Sequence, residues 1–253
     1  MRITPRPLPA VLAYLGYLLI FYGVWVINGI DYPRIGESAE TALKWYVEPL
    51  AGGAVFLIII VSVFGWWAPA LREVARATPT WLWVSPILMA VLAVAGLVGG
   101  GYGGRTAQFV ALVLLGSILV GFCEELITRG VLVVGFRATW TEPMVWLGST
   151  LLFALLHLPN WVFGAGPGAV AQVVLAFLSG TALYLARRVS GLLVMPMFIH
   201  GLWDFAGFLP STPANWVVLS ALLNSVVALG CVIVLLRRER GIRTPQVGVP
   251  ALS

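Results

Sequence analysis

Residues 107–135 read AQFVALVLLGSILVGFCEELITRGVLVVG, an apolar run interrupted by Glu124, Glu125 and Arg129. About 20 mainly apolar residues cross a hydrocarbon layer about 30 Å thick, because a helix rises about 1.5 Å per residue. A charge held near the middle of that layer costs roughly 2.5 to 3.5 kcal/mol, so such groups pair with one another or line a wet cavity. The stretch therefore predicts a spanning helix with a polar site inside it.

The rest of the chain supports that reading. Of its 253 residues, 60% are hydrophobic and 10% charged, with a mean hydropathy of +0.97. Soluble domains carry about 25% charge, so a soluble globule, a coiled coil and a disordered chain are all excluded. Eight apolar segments are expected, at 8–30, 51–69, 81–100, 107–135, 143–163, 169–186, 189–208 and 214–236. Turn chemistry separates them: Asp31-Tyr32-Pro33, the glycines from Gly99 to Gly104, Glu142-Pro143, Gly164 to Gly168, and Pro210 to Pro213. The predicted fold is an all-α polytopic membrane bundle, one unit over 1–236 with its core at 107–208. A flexible, basic cytoplasmic tail follows over 237–253. The first segment is too long for a signal-peptide core and reads as a retained anchor.

The net charge of +5 comes mostly from arginines, so it could suggest a nucleic-acid partner. Their placement excludes that. With eight crossings and an inside N-terminus, Arg2, Arg6, Arg72, Arg76, Arg137, Arg187, Arg188, Arg237, Arg238, Arg240 and Arg243 fall inside, against Arg34, Lys44 and Arg105 outside. That bias predicts both termini in the cytoplasm. Cys123 and Cys231 lie in apolar runs, which rules out a disulfide framework. Between the first two segments, Ala39, Ala42, Leu43, Tyr46, Val47 and Leu50 form an apolar stripe at helical spacing. It reads as an amphipathic helix, either lying in the outer interface or packed as a lid on the bundle.

Six ionisable residues fall within spans: Glu124, Glu125, Arg129, His157, His200 and Asp204. Counted from each segment's cytoplasmic end, Glu124, His157 and His200 lie roughly 18, 21 and 17 Å deep, so they can meet near the midplane. Glu125 and Arg129 are four apart and share a face, which leaves Glu124 as the less neutralised carboxylate. His200 and Asp204 are also four apart, so Asp204 can orient the imidazole. Phe153 precedes His157 by the same interval and gives it an aromatic neighbour. Cys123 sits in apolar surroundings that disfavour a thiolate, so it is a poor nucleophile.

Glu124-Glu125-x-x-x-Arg129, Phe153-x-x-x-His157 and His200-x-x-x-Asp204, in that order on separate spans, resemble the motifs of the CPBP or Abi family. That family comprises type II CAAX prenyl endopeptidases and bacteriocin-processing or immunity proteins. The resemblance implies a glutamate-dependent intramembrane endopeptidase (a hydrolase) acting on membrane-associated polypeptides, prenylated or not. It implies that Glu124 and His157 activate water and that His200 with Asp204 stabilises the oxyanion, supported by Glu125, Arg129 and Phe153. The chain departs from the family at one position, since Asn is common where Asp204 stands. An ionised carboxylate there would repel an oxyanion, so Asp204 is either protonated or an orienting partner of His200.

Other readings use the same residues. Glu124, His157 and His200 could ligate zinc with a water as fourth ligand, although no His-Glu-x-x-His helix is present; without it the site needs no cofactor. A proton-coupled carrier would also place such groups at the midplane, and a catalytically silent immunity-type binding protein would share the fold. Water must reach the site, so a polar cavity is expected to open toward the cytoplasmic side or laterally. The Arg-for-Lys bias with abundant Ala, Gly and Val fits a GC-rich bacterial genome and a multi-pass protein of the bacterial plasma membrane.

Overall fold

A computed structural model describes residues 2–77 and 79–248. Eight long helical runs organise it: α1 (Pro7–Ile27), α2 (Ala39–Phe64), α3 (Thr80–Gly99), α4 (Ala107–Arg137), α5 (Glu142–Leu155), α6 (Gly168–Ser190), α7 (Val194–Phe208) and α8 (Ala214–Arg238). Local sequence sets their ends. Pro7 stands in the first turn of α1, where its missing N–H costs nothing. The Ser38 hydroxyl accepts from the Thr41 amide at 3.1 Å to cap α2, and Thr106 does the same from Phe109 for α4. Gly191 ends α6 in the left-handed region at φ 73°. Among the described residues the remaining regular structure is short helical turns and three isolated β-bridges.

The chain is a polytopic all-α membrane protein, and the span count needs one refinement. Six of the helices are long and apolar enough to cross a membrane: α1, α2, α3, α4, α6 and α8. The segments expected at 143–163 and 189–208 are instead the shorter α5, with 14 residues, and α7, with 15. At about 1.5 Å per residue these reach little over 20 Å. Pro159 cannot donate to the Leu155 carbonyl, so the α-helical ladder of α5 stops there and a 3₁₀ turn, Leu158–Trp161, follows. Hydroxyls of α1 reach the carbonyls at this end: that of Tyr14 donates to Leu152 at 2.8 Å, and that of Tyr22 donates to Leu156.

The apolar stripe at 39–50 is the first part of α2, continuous with the membrane helix through a π-helical turn at Leu43–Val47. Ala42, Tyr46, Val47 and Leu50 are buried against the bundle, so the packed arrangement holds and the interfacial one does not.

α4 forms the centre, and every residue from Glu125 to Arg137 is buried. It packs along α7, and two glycines permit the close approach. A Cβ on Gly121 would overlap the Met197 carbonyl oxygen, and one on Gly201 would lie 2.8 Å from that of Ser117. Large apolar side chains such as Leu19, Val98 and Val226 stay at least 70% exposed on the outer surface, as lipid contact allows.

The end of the bundle near the start of α1 is locked by charge. Glu73 accepts from Arg137 at 2.8 Å, from Arg187 at 2.5 Å and from Arg188 at 2.9 Å. Arg137 also donates to Glu142 at 2.6 Å, and Arg188 to Glu239 at 2.6 Å. Three arginines and three glutamates from the 72–79 loop, α4, α5, α6 and the segment after α8 thus neutralise one another out of water. Arg137, Arg187 and Arg188, counted among the inside arginines, are thus paired within the bundle. Eight arginines remain against three outside cations, so the bias itself survives. The segment read as a flexible tail from 237 also differs. α8 runs to Arg238, and Gln246 donates to the Val134 carbonyl at 3.2 Å beside a bridge to Glu73. Residues 249–253 of that tail lie outside the described residues.

Burial alone would raise the Glu73 carboxyl, but the facing Arg137, Arg187 and Arg188 outweigh it and hold the group well below the usual carboxylate range. A depressed native value contributes stability that is present above about pH 4.3 and lost as pH falls toward the native value. Replacing Glu73 by Gln should therefore lower stability near neutral pH by about 3 kcal/mol, since it strands buried guanidinium groups. Tryptophan-monitored unfolding in detergent should show the variant losing less further stability than the parent on acidification.

Candidate active site

The second half of α4 departs from α-helical geometry just where its charges lie. After Glu125 it runs through a π-helical turn, Leu126–Leu132, a distortion that recurs at functional sites. The widened turn carries Arg129, which donates to Glu125 Oε1 at 2.9 Å, the pairing that their spacing predicts. Its other arm donates to the Gly180 carbonyl on α6 at 2.8 Å, and the guanidinium lies 4.0 Å from the centre of the Phe153 ring. The Arg129 carbonyl accepts from Arg187, which ties the turn to the arginine lock.

Glu125 does more than compensate Arg129. Its Oε1 also meets His200 Nδ1 at 2.9 Å. With Glu125 acting as the carboxylate partner of Arg129, Nδ1 carries the proton and donates it, which leaves Nε2 on the cavity side. The expected His200–Asp204 orienting contact is not made: Asp204 Oδ1 lies 3.9 Å from Nε2. Glu125 therefore sets the His200 ring, because it reaches Nδ1 from the neighbouring helix while Asp204 sits on the Nε2 side.

Glu124 faces elsewhere. Its Oε2 lies 4.0 Å from His200 Nε2 and is buried without a hydrogen-bond partner among the described residues. His157 sits just past the end of α5, not within a span. Its Nδ1 lies 3.3 Å from the Ala154 carbonyl. A carbonyl can only accept, so Nδ1 holds the proton and Nε2 keeps its lone pair. The Phe153 ring stands edge-on to both imidazoles, with centroids 5.6 Å from His157 and 5.5 Å from His200.

Glu124, His157, His200 and Asp204 line one cavity of about 150 Å³. Its other walls include Trp25, Tyr32, Gln172 and Phe208, at the end of the bundle opposite the arginine lock. Of the two openings expected, toward the arginine-rich side or laterally, the first is plugged by buried ion pairs. At the far end, Asn160 donates to Gln172 at 2.9 Å and Gln172 to the Tyr32 hydroxyl at 2.7 Å, joining the two loops beside the cavity. On the lipid-facing side of the α4–α7 pair lies an apolar groove of about 350 Å³, lined by residues such as Ile118, Phe122 and Phe198. Among the described residues no three His, Cys, Asp or Glu side chains are gathered as a metal-ion ligand set.

Two contributors are invisible to motif spacing. Gly180 offers its carbonyl to Arg129. Tyr46 reaches the cavity from α2, its hydroxyl 3.2 Å from Ser117 Oγ and 3.4 Å from Asp204 Oδ2. A tyrosine on a buried stripe is the one available signal, since a buried phenol hydroxyl needs a partner.

Residues 106–206 match the family of Type II CAAX prenyl endopeptidase Rce1-like proteins. The match covers about two-fifths of the chain, includes all three motifs, and shows the resemblance over that segment. The family is one of intramembrane CAAX-type proteases. No curated protein matches the chain.

A Cβ on Gly180 would lie 2.6 Å from Arg129 Nη2 and 2.7 Å from Phe153 Cδ1. Gly180→Ala should thus push Arg129 from its carbonyl partner and lower stability by about 1 to 3 kcal/mol, while Ala at half-buried Gly23, where an added Cβ meets nothing within 4 Å, should not. Thermal unfolding of the two variants side by side checks this.

Proposed function

Building on the Rce1-like match over 106–206, we propose that the chain is an intramembrane endopeptidase. It hydrolyses a peptide bond of a membrane-associated polypeptide by glutamate and histidine activation of water. The observation that carries this reading is the Glu124 carboxylate, whose Oε2 is buried without a partner in a cavity that it shares with two imidazoles. A buried carboxylate oxygen of this kind is costly unless it is solvated, so this is where a reactive water belongs.

In the proposed mechanism Glu124 takes a proton from that water while His157 Nε2 accepts its second hydrogen bond. The resulting hydroxide attacks the scissile carbonyl. His200, held at Nδ1 by Glu125 and protonated at Nε2, donates to the developing oxyanion, a contribution available only because the ring is already oriented. Collapse of the tetrahedral adduct breaks the C–N bond, and Glu124 returns its proton to the leaving amine. Arg129 and Phe153 fix Glu125 and the two rings. No metal is required in this scheme. In the zinc alternative Glu124, His157 and His200 would ligate one ion, and metal removal separates the two schemes.

The arginine bias supports an orientation with both termini in the cytoplasm of a bacterial cell. The cavity then reaches toward the outer face, and the substrate is a polypeptide presented there.

Glu124→Gln keeps size and hydrogen bonding but removes the base, so cleavage of a membrane peptide in lipid vesicles should fall by about 10² to 10⁴ with folding intact. Parent protein stripped with a strong chelator should retain its rate. One zinc per chain by elemental analysis, with activity restored only by metal, would overturn the metal-free scheme. Unchanged binding of a partner by Glu124→Gln, with no cleavage by either protein, would instead identify a silent binder.

A further inference from the structure

The proposed mechanism leaves Asp204 without an assigned partner, and α2 supplies one. The two carboxylate oxygens of Asp204 face different ways: Oδ1 lies 3.9 Å from His200 Nε2, and Oδ2 accepts from the Tyr46 hydroxyl at 3.4 Å. Tyr46 in turn is 3.2 Å from Ser117 Oγ. A carboxylate can only accept, so the direction of donation is fixed. Ser117 donates to Tyr46, and Tyr46 donates to Asp204. Both hydroxyls are used once as donors, and the chain of bonds ends on the carboxylate.

Three independent features hold Tyr46 in place. It lies in the π-helical turn Leu43–Val47, which interrupts α2 only where the helix passes the site. Its ring covers Gly116 so closely that a Cβ there would overlap it, and it packs against Phe208 with centroids 4.9 Å apart. The residue is 6% exposed. A phenol so confined has one direction in which to send its hydroxyl, toward Asp204 and Ser117.

We propose that Tyr46 is a positioning residue of the active site: by donating to Asp204 Oδ2 it fixes the carboxylate's rotation and presents Oδ1 to His200 Nε2. This rests on the endopeptidase reading for its consequence but not for its geometry. It accounts for how an aspartate is held in one orientation at this position. An amide can direct its own donor, whereas a carboxylate is oriented only by donors around it. Here that donor is the Tyr46 hydroxyl from α2. The other titratable neighbours around the cavity are Glu124 on α4, Tyr17 and Tyr22 on α1, Tyr32 in the loop after α1, and His157 past the end of α5.

The chain has only two aspartates, Asp31 and Asp204, which makes a direct test available. Protein labelled with ¹³C-aspartate gives an infrared spectrum of two carboxylates, and Asp204→Asn assigns one of them. Tyr46→Phe keeps the ring over Gly116 and removes only the hydroxyl. It should shift the Asp204 carboxylate stretch and leave that of Asp31 unmoved, without any substrate. In the cleavage assay Tyr46→Phe should reduce kcat about tenfold with KM unchanged, in line with loss of one hydrogen bond to a charged group. In an Asp204→Asn background the same replacement should cost less than about twofold, because the pair acts as a unit. Ser117→Ala, which also removes a donor from the chain, should shift the band in the same direction by less.

An Asp204 band that stays put in Tyr46→Phe overturns the proposal, as does a kcat loss equally large in the Asp204→Asn background. A shifted band in a protein that cleaves nothing would leave the Tyr46 assignment standing and defeat the endopeptidase reading alone.

Discussion

A single carboxylate oxygen joins the two halves of the site. Glu125 Oε1 receives Arg129 from its own helix and His200 from α7, each at 2.9 Å and all three side chains out of water. In a medium that cannot solvate charge, this is a strong constraint. Loss of the carboxylate would strand a guanidinium and an imidazole N–H together, and breaking a buried pair costs about 3 to 5 kcal/mol. The rest of the site follows from satisfying Arg129 and His200. Arg129 needs the Gly180 carbonyl, so α6 must come close, and a glycine must stand there because any side chain would collide with the guanidinium or Phe153. His200 needs Glu125, so α7 must lie against α4, and Gly121 and Gly201 remove the atoms that would keep them apart.

The two helices that deliver the histidines are the two that fall short of a full span. α5 stops before His157, and α7 begins only after the turn at Gly191. A short helix in a bundle of long ones leaves volume at one end, and here that volume is the cavity. The opposite end is closed by the arginine lock, which neutralises its charges internally. Arg187 belongs to both, because it donates to Glu73 in the lock and to the carbonyl of Arg129 in the π-helical turn. The lock is therefore a foundation for the site as well as a clamp on the bundle, with the polar end of α6 supporting the distorted centre of α4.

Much of this was legible in the sequence. Hydropathy located the helical segments, and the spacing of Glu125 and Arg129 was enough to pair them, because both ends of that contact lie on one helix. The same rule misled at His200. Asp204 is its neighbour at four residues, but the tighter partner comes from another helix, and no spacing within α7 could reveal it. Arg137, Arg187 and Arg188 look like interfacial charges because they sit at helix ends. Their burial depends on Glu73, Glu142 and Glu239, which are far apart in sequence. Helix length was overestimated where apolar residues continue past a terminator: Leu158 and Trp161 keep the hydropathy high, while Pro159 has already ended the α-helical ladder. Tyr46 was visible as a member of an apolar stripe, but the destination of its hydroxyl depends on the π-helical turn and on the missing side chain at Gly116.

The aspartate at 204 shows how these constraints combine. Around the cavity stand three carboxylates, those of Glu124, Glu125 and Asp204, facing the fixed cation of Arg129 and the ring of His200. Glu125 is taken by Arg129 and His200 Nδ1, so the balance is decided among Glu124, Asp204 and the Nε2 side of the imidazole. An amide at 204 would remove one negative charge from that set and bring its own donor. The aspartate keeps the charge and brings none, so the site must offer it hydrogen bonds from outside α7. Tyr46 and, behind it, Ser117 are placed to do so, and both lie on helices whose local distortion or missing side chains bring them there. The carboxylate at 204 is thus accommodated by the surrounding helices, through the Tyr46 hydroxyl on α2.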